Sequence, residues 1–241
     1  MPTYHRDGAE IYFEEYGSGF PLLLIAPGGM KSAINFWYNT PWNPIEQLSD
    51  RYRVIAMDQR NAGRSTATVT AEDGWHTYTA DQLGLMDHLG IDQFHVAGMC
   101  IGGPYCLGLI AAAPDRVVSA TLFQTIGRDN NDDAFYAMFD DWAGPLQQSM
   151  RDVSPSAWAQ FRDNMYGGDA VLFNVDETFL ARCHTPLLVF MGKDLYHPES
   201  SSRLVAQHAP NVEFVEQWKD GPAKETAMQT FAEFLSRHTP D

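Results

Sequence analysis

The chain has 241 residues and a formal net charge of −15, with 31 acidic against 16 basic side chains. Such an acidic surface repels nucleic acid and anionic membranes, so neither is expected as a partner. Apolar residues make up 44% of the sequence, enough for the core of one α/β domain with an insertion. We expect no signal peptide and no membrane span, because the first residues and the later apolar runs are too polar or too short.

The cysteines are few and widely placed. Cys100, Cys106 and Cys183 are an odd number and show no Cys-x-x-Cys spacing for a metal. This pattern favours reduced thiols in the cytoplasm, and it predicts neither a metal nor an organic cofactor.

Short apolar segments recur along the chain and alternate with helical patterns. Residues 10–16 alternate like a strand with one wet face, and residues 21–26 and 53–57 are continuous apolar runs typical of central parallel strands. A capping box at residues 79–82 predicts the start of a helix that ends near Gly90. Further strands are predicted at 94–97, 117–123, 187–191 and 212–218, with helices at 104–113 and 231–235. The alternation predicts an α/β fold with a mostly parallel, doubly wound sheet and a site at its carboxyl edge.

One segment, residues 128–183, interrupts this alternation. It opens on turn-forming residues and continues with two amphipathic helical patterns. We therefore predict a helical cap at 128–183, inserted into a core domain formed by residues 1–127 and 184–241. Met30, Trp142 and Trp158 are expected to wall an apolar substrate pocket, the alternative being that these side chains only pack the cap onto the core.

The sequence Gly98-Met99-Cys100-Ile101-Gly102-Gly103 joins a predicted strand to a predicted helix. Glycines on both sides of a sharp strand-to-helix turn expose its central side chain in front of the helix N-terminus. The pattern resembles the nucleophile elbow Gly-x-Ser-x-Gly of the α/β-hydrolase superfamily, with cysteine in place of serine. The dienelactone hydrolases of that superfamily also carry cysteine there.

Three other segments resemble superfamily motifs in the expected order. Residues 58–65 resemble the Asp-x-Arg-Gly-x-Gly-x-Ser loop, with Asn61 in place of its first glycine, and residues 27–30 occupy the position of the His-Gly-x loop. Residues 191–198 resemble the Gly-x-x-Asp turn that carries the acid of the catalytic triad. The resemblance covers nearly the whole chain and implies an α/β-hydrolase fold with a small helical cap.

The resemblance assigns roles to four residues. Cys100 would be the nucleophile, since a helix N-terminus stabilises thiolate, although most free cysteines are inert buried side chains. The backbone N–H groups of Gly29 and Ile101 would form the oxyanion hole. Asp194 would be the triad acid, and the alternative for this residue is a helix cap.

The superfamily histidine is missing from its usual place, which falls at Lys219 or Asp220 in this sequence. Our first hypothesis makes His197 the general base, oriented by Asp194 or Asp220. We expect Asp220 to approach more freely, because only two residues separate Asp194 from His197. The other hypotheses use His76 as the base, or no base at all.

These residues predict a hydrolase that cleaves a small ester, lactone or thioester through an acyl-enzyme on Cys100. The expected partner is therefore a small-molecule acyl substrate, and the sequence leaves a homodimer open. Two alternatives stand beside this prediction. One is a cofactor-free enzyme of the same fold that cleaves C–C bonds, as a hydrolase or lyase, and the other is a non-catalytic receptor for a small ligand.

Overall fold

The structure, a computed structural model, describes residues 2–240 and contains one nine-stranded sheet. Along the sheet the strand order is β1-β2-β4-β3-β6-β7-β8-β9, with β5 paired to β2. From β4 to β9 the pairs are parallel, whereas β1, β2 and β5 pair antiparallel. The strands are β1 Thr3–Arg6, β2 Ala9–Tyr16, β3 Phe20–Ile25, β4 Tyr52–Met57, β5 Thr66–Ala67, β6 Phe94–Met99, β7 Val117–Phe123, β8 Leu187–Phe190 and β9 Val212–Val215.

Helices connect the parallel strands and cover both faces of the sheet. They are α1 Pro44–Leu48, α2 Trp75–His88, α3 Gly102–Ala112, α4 Asp132–Ser149, α5 Pro155–Tyr166, α6 Glu177–Leu180, α7 Glu199–His208 and α8 Gly221–His238, with two 3-10 turns at Gly29–Lys31 and Ile34–Asn39. None of the helices in residues 2–240 combines the length and apolar character needed to cross a bilayer.

The two faces of the sheet carry separate hydrophobic cores because successive strand side chains point to opposite sides. In β3, Leu23 and Ile25 join the core that contains side chains of α2 and α3, while Leu22 and Leu24 join the core that contains side chains of α1 and α8. All four side chains are fully buried. Burial on both faces explains why this strand is a continuous apolar run, and the predicted doubly wound α/β architecture is confirmed.

Helices α4, α5 and α6 lie between β7 and β8, within the segment predicted as the cap. Two indole N–H groups fasten this segment and the core to each other. Trp75 of α2 donates to the Met165 carbonyl at 2.6 Å, and Trp142 of α4 donates to the Asn61 carbonyl at 3.0 Å. The cap therefore rests on the same edge of the sheet as the Cys100 turn.

Several element boundaries differ from the sequence prediction, and two of the differences have a clear physical cause. Helix α2 begins at Trp75 rather than Thr79, because the Thr77 hydroxyl accepts from the Gly74 N–H and Thr79 donates instead to a carbonyl within the helix. Strand β9 ends at Val215, before Trp218 turns back to donate its indole N–H to the Met191 carbonyl at 2.8 Å.

Candidate active site

Cys100 lies on a strained turn between β6 and α3. Its φ of 62° is in the left-handed region, which residues other than glycine and asparagine seldom adopt. The flanking glycines are required by close packing: a Cβ on Gly102 would lie 2.7 Å from the Ile25 carbonyl oxygen, and one on Gly98 would lie 2.8 Å from the Cys106 sulfur. Backbone strain of this kind is concentrated at functional sites, and here it leaves the Cys100 side chain partly exposed.

The turn after β8 brings a histidine and a carboxylate together. His197 Nδ1 lies 2.7 Å from Asp194 Oδ1, and the same oxygen accepts the backbone N–H groups of Tyr196 and His197 at 3.1 Å. Reciprocal backbone hydrogen bonds of 3.2 Å between residues 194 and 197 close the turn. The imidazole is oriented by a carboxylate three residues earlier in the chain.

This arrangement corrects the expected role of Asp220. We expected Asp194 to be too close in sequence to hold the far nitrogen of His197, but a closed four-residue turn places its first and fourth side chains side by side. Asp220 is exposed at the start of α8 and lies in a surface groove with Lys193 and Glu216. The structure therefore pairs His197 with Asp194 and not with Asp220.

The structure also distinguishes the two histidines considered as the general base, His76 and His197. His76 is exposed on the first turn of α2 and lines an outer groove with Thr79 and Asn164. His197, by contrast, has only 12% of its side chain exposed and interacts with Cys100. The geometry thus favours His197 over His76, and it favours a base over none.

The thiol and the imidazole shift each other toward their charged forms. Burial raises the pKa of Cys100, but the His197 side chain and the Gly28 and Gly29 backbone amides outweigh burial and hold it below the ordinary thiol value. Burial lowers the pKa of His197, but Cys100 and Asp194 outweigh burial and raise it. Each group thus stabilises the charged form of the other, which increases the thiolate fraction of Cys100 relative to an ordinary thiol.

The contact between these two groups is loose. His197 Nε2 is buried and makes no hydrogen bond of standard geometry with any residue from 2 to 240, although the pKa of both groups reflects a direct interaction. Catalytic hydrogen bonds are often long until substrate binds.

The predicted oxyanion donors flank Cys100. Ile101 is the first residue after it and caps α3, while the Gly29 amide interacts with the sulfur from the loop after β3. The sequence analysis did not single out the Gly28 amide, which also stabilises the thiolate. Met138 of the cap lies so close to Gly29 that a Cβ there would overlap its sulfur, so the cap covers the loop.

Three further contacts hold the His197 turn in place. A Cβ on Gly192 would lie 2.5 Å from the His197 Cβ, so only glycine allows this approach. The Asn131 amide donates to the Leu195 carbonyl at 2.6 Å, and Trp218 holds the Met191 carbonyl where the turn begins. Of these three contacts, only the one made by Gly192 had a signal in the sequence, because Gly192 belongs to the Gly-x-x-Asp pattern.

The loop at residues 58–65 is structural. Asp58 accepts the backbone N–H groups of Ile34 and Arg64 at 2.8 Å each. Asn61, in place of the usual glycine, has a φ of 56°, which asparagine tolerates better than most residues do. The loop thereby positions the Asn61 carbonyl, which accepts the indole N–H of Trp142 in the cap.

The three side chains predicted to wall the substrate pocket are all buried, Met30 at 1% exposure, Trp142 at 4% and Trp158 at 3%. Trp142 packs on Trp158 and on Phe161 inside the cap, with ring centroids 6.1 and 5.9 Å apart. Phe139 contacts both Trp142 and Phe161. Their observed contacts therefore fit packing of the cap, and contact with substrate stays a prediction. Among residues 2–240 no group of three or more His, Cys, Asp or Glu side chains is arranged to hold a metal ion.

Comparison with known proteins identifies the family. A family model described as "alpha/beta hydrolase fold" matches residues 21–150, more than half of the chain. With the sheet order and the Cys100 elbow, this match shows that the chain belongs to the α/β-hydrolase fold family, as its motifs predicted.

Several curated proteins are similar to parts of the chain. A protein named "Putative carbamate hydrolase RutD" from Azorhizobium caulinodans is 37% identical over 125 residues, which are 51% of this chain and 43% of that protein. The 2-hydroxymuconate semialdehyde hydrolase of Pseudomonas sp. (strain CF600) is 29% identical over 121 residues, 50% of this chain and 41% of that protein. These matches span about two fifths of the length of the relatives.

Solved structures share the fold along the whole chain. The enol-lactonase from Burkholderia xenovorans LB400 has a TM-score of 0.70 and 21% identity, covering 98% of this chain and 100% of its own. A meta-cleavage product hydrolase from Pseudomonas fluorescens IP01 has a TM-score of 0.74 and 18% identity, covering 99% of this chain and 98% of its own.

Proposed function

We propose that the protein is a cysteine hydrolase that cleaves a small carboxylic ester, lactone or thioester through an acyl-enzyme. The observation that carries the proposal is the set formed by Cys100, His197 and Asp194, in which the thiol pKa is lowered and the imidazole pKa is raised. Membership in the α/β-hydrolase fold family supports it, as do relatives named as hydrolases.

In the proposed reaction, the Cys100 thiolate attacks the acyl carbon and forms a C–S bond. The resulting oxyanion accepts hydrogen bonds from the Gly29 and Ile101 amides. As the C–O or C–S bond to the leaving group breaks, protonated His197 gives its proton to that group. His197 then takes a proton from water, which attacks the thioester and releases the acid.

Asp194 contributes by fixing the ring of His197 and favouring its charged form. Because protonated His197 stabilises the thiolate form of Cys100, attack by the thiol depends less on proton transfer than attack by serine would. A hydroxyl in the same position would depend entirely on His197 as a base.

Intact-protein mass spectrometry after rapid quenching with 4-nitrophenyl acetate tests the proposal. We expect one acetyl group on the wild-type protein, located on Cys100 by peptide mapping and absent from Cys100→Ala. Cys183→Ala is the matched control and should acetylate like the wild type. Acetylation of another residue, or none at all with turnover intact, would disprove the thiol mechanism.

A second candidate is cleavage of a C–C bond next to a carbonyl group. Similarity to the protein named 2-hydroxymuconate semialdehyde hydrolase favours it. In that reaction Cys100 need not become acylated, so turnover of a vinylogous 1,5-diketone without an acyl-enzyme would support this candidate. An absence of turnover with any acyl substrate, with retained ligand binding, would favour the receptor alternative.

A further inference from the structure

Three buried tyrosines lie beside the Cys100 turn, and we call Tyr78, Tyr105 and Tyr166 the phenol cluster. Tyr105 lies in α3, one turn beyond the elbow, where its N–H donates to the Ile101 carbonyl at 3.3 Å. Tyr78 comes from α2 and packs on Tyr105 with ring centroids 5.1 Å apart. Tyr166 ends α5 of the cap, and Trp75 joins it to Tyr105 at centroid distances of 6.1 and 5.1 Å.

The three tyrosines belong to the hydrophobic core against which Cys100 packs. Burial raises the pKa of Tyr105 and of Tyr166 well above the ordinary value, and a negative charge on Cys100 raises both further. Burial also raises the pKa of Tyr78, so all three phenols favour the neutral form. A neutral phenol both donates and accepts a hydrogen bond.

Two of these hydroxyls have no hydrogen-bond partner among residues 2–240. The Tyr78 and Tyr166 rings are 0% and 1% exposed, and neither hydroxyl hydrogen-bonds to any described residue. A buried polar group without a partner costs about 1–3 kcal/mol, and native proteins rarely leave one unexplained. Packing needs only the rings, which phenylalanine would provide equally well.

The charged side chains around the phenol cluster favour a neutral ligand group over an anionic one. The charged side chains that act on Tyr78 are Arg60, Asp73 and Asp81, one positive against two negative. Arg60 is already committed to Asp81 by hydrogen bonds of 2.8 and 2.9 Å. A carboxylate would meet a net negative field and the Cys100 thiolate, whereas a neutral oxygen would meet only hydrogen-bond donors and acceptors.

We infer that the acyl part of the substrate carries a neutral oxygen, a keto or hydroxyl group, that hydrogen-bonds to Tyr166 and Tyr78. This inference rests on the proposed function, since it takes Cys100 as the point where the acyl carbon binds. A plain alkyl chain would leave both hydroxyls unpaired. The enzyme should therefore prefer oxo- or hydroxyacyl groups over alkyl groups of the same length.

Binding to the Cys100→Ala variant tests the inference without any turnover. Isothermal titration calorimetry would compare methyl hexanoate with methyl 3-oxohexanoate, methyl 4-oxohexanoate and methyl 5-oxohexanoate. These isomers move one keto oxygen along the chain, so the result does not depend on knowing its position. We expect at least one oxo ester to bind about tenfold more tightly than methyl hexanoate.

The preference should fall to within about twofold when Tyr166→Phe and Tyr78→Phe are added. The single variant Tyr166→Phe should lose most of this preference while keeping or raising the melting temperature, because the removed hydroxyl has no hydrogen-bond partner to lose. Tyr136→Phe, on a half-buried tyrosine of the cap, is the matched control and should keep the full preference.

Equal binding of methyl hexanoate and all three oxo esters would overturn the inference, as would a preference that survives in the double variant. It would then be concluded that the phenols bind only water. The proposed function is tested separately by acetylation of Cys100 in the wild type. Failed acetylation with a retained keto preference would reject the thiol mechanism alone.

Discussion

The pKa values of two buried histidines of this protein are shifted in opposite directions. His197 pairs with the Asp194 carboxylate and the Cys100 thiol, and its pKa is raised. His95 is 0% exposed between the hydroxyls of Ser119 and Thr239, at 2.8 and 2.9 Å, and burial lowers its pKa to about 3.

Burial disfavours the charged form of both rings. The difference comes from the partners, because a carboxylate and a thiolate stabilise imidazolium while neutral hydroxyls do not. The comparison teaches that a buried histidine gains a role in proton transfer through its charged neighbours. Hydroxyl partners instead hold it as a neutral part of the core.

The largest expected effect is the difference in activity between variants of the two histidines. His197→Ala should lower kcat/KM for a 4-nitrophenyl ester by about 100- to 10,000-fold, since it removes the general base. His95→Gln is the matched control and should stay within about threefold, because His95 does not reach the site. Similar losses in both variants would show that His197 acts only through stability.

Asp194 should matter more than Asp220. Asp194→Asn removes the carboxylate that orients His197, and because that carboxylate is half exposed we expect a loss of about 10- to 100-fold in kcat/KM. Asp220→Asn should leave the rate unchanged. The measurement is steady-state hydrolysis of the same ester, and the reverse order of effects would restore the role first expected for Asp220.

The charged partner should also govern thiol reactivity. Cys100 should react with iodoacetamide at pH 7 before Cys106 and Cys183, since burial raises the pKa of both of those thiols. His197→Ala should slow alkylation of Cys100 about tenfold, because the imidazolium that favours thiolate is lost. Peptide mass spectrometry after timed quenching measures each rate, and earlier labelling of Cys106 or Cys183 would contradict the elbow assignment.

The smallest effect concerns stability and tests the neutral histidine. His95 binds a proton readily only in the unfolded chain, so stability falls as pH drops below the unfolded pKa of about 6.5, toward the folded value of about 3. At pH 5.5 the protonation of His95 in the unfolded chain lowers the free energy of unfolding by about 1.4 kcal/mol. Urea unfolding at pH 7.5 and 5.5 should therefore show a smaller loss for His95→Gln than for the wild type, and equal losses would refute the assignment.

Much of the fold could be predicted from local patterns. The strand at Val117–Phe123 was predicted to the residue, because a buried parallel strand is a continuous β-branched and apolar run bounded by turns. The Cys100 elbow was predicted because glycine spacing reports a close backbone approach directly. Both signals lie within a few residues of sequence.

The pairing inside the site could not be predicted in the same way. Asp194 reaches His197 only because backbone hydrogen bonds close their turn, and composition does not reveal that closure. The phenol cluster was missed because Tyr78, Tyr105 and Tyr166 come from three helices and read singly as core aromatics. Long-range convergence leaves no periodic trace in a sequence.

The acid and the base of the proposed site lie three residues apart on one closed turn. Their mutual geometry is thus encoded in a contiguous peptide rather than in the docking of two distant strands. Such a unit has low contact order, so the pairing of acid and base needs little loop closure during folding. The connection after β9 contributes Trp218, whose indole N–H donates to the Met191 carbonyl at the end of β8.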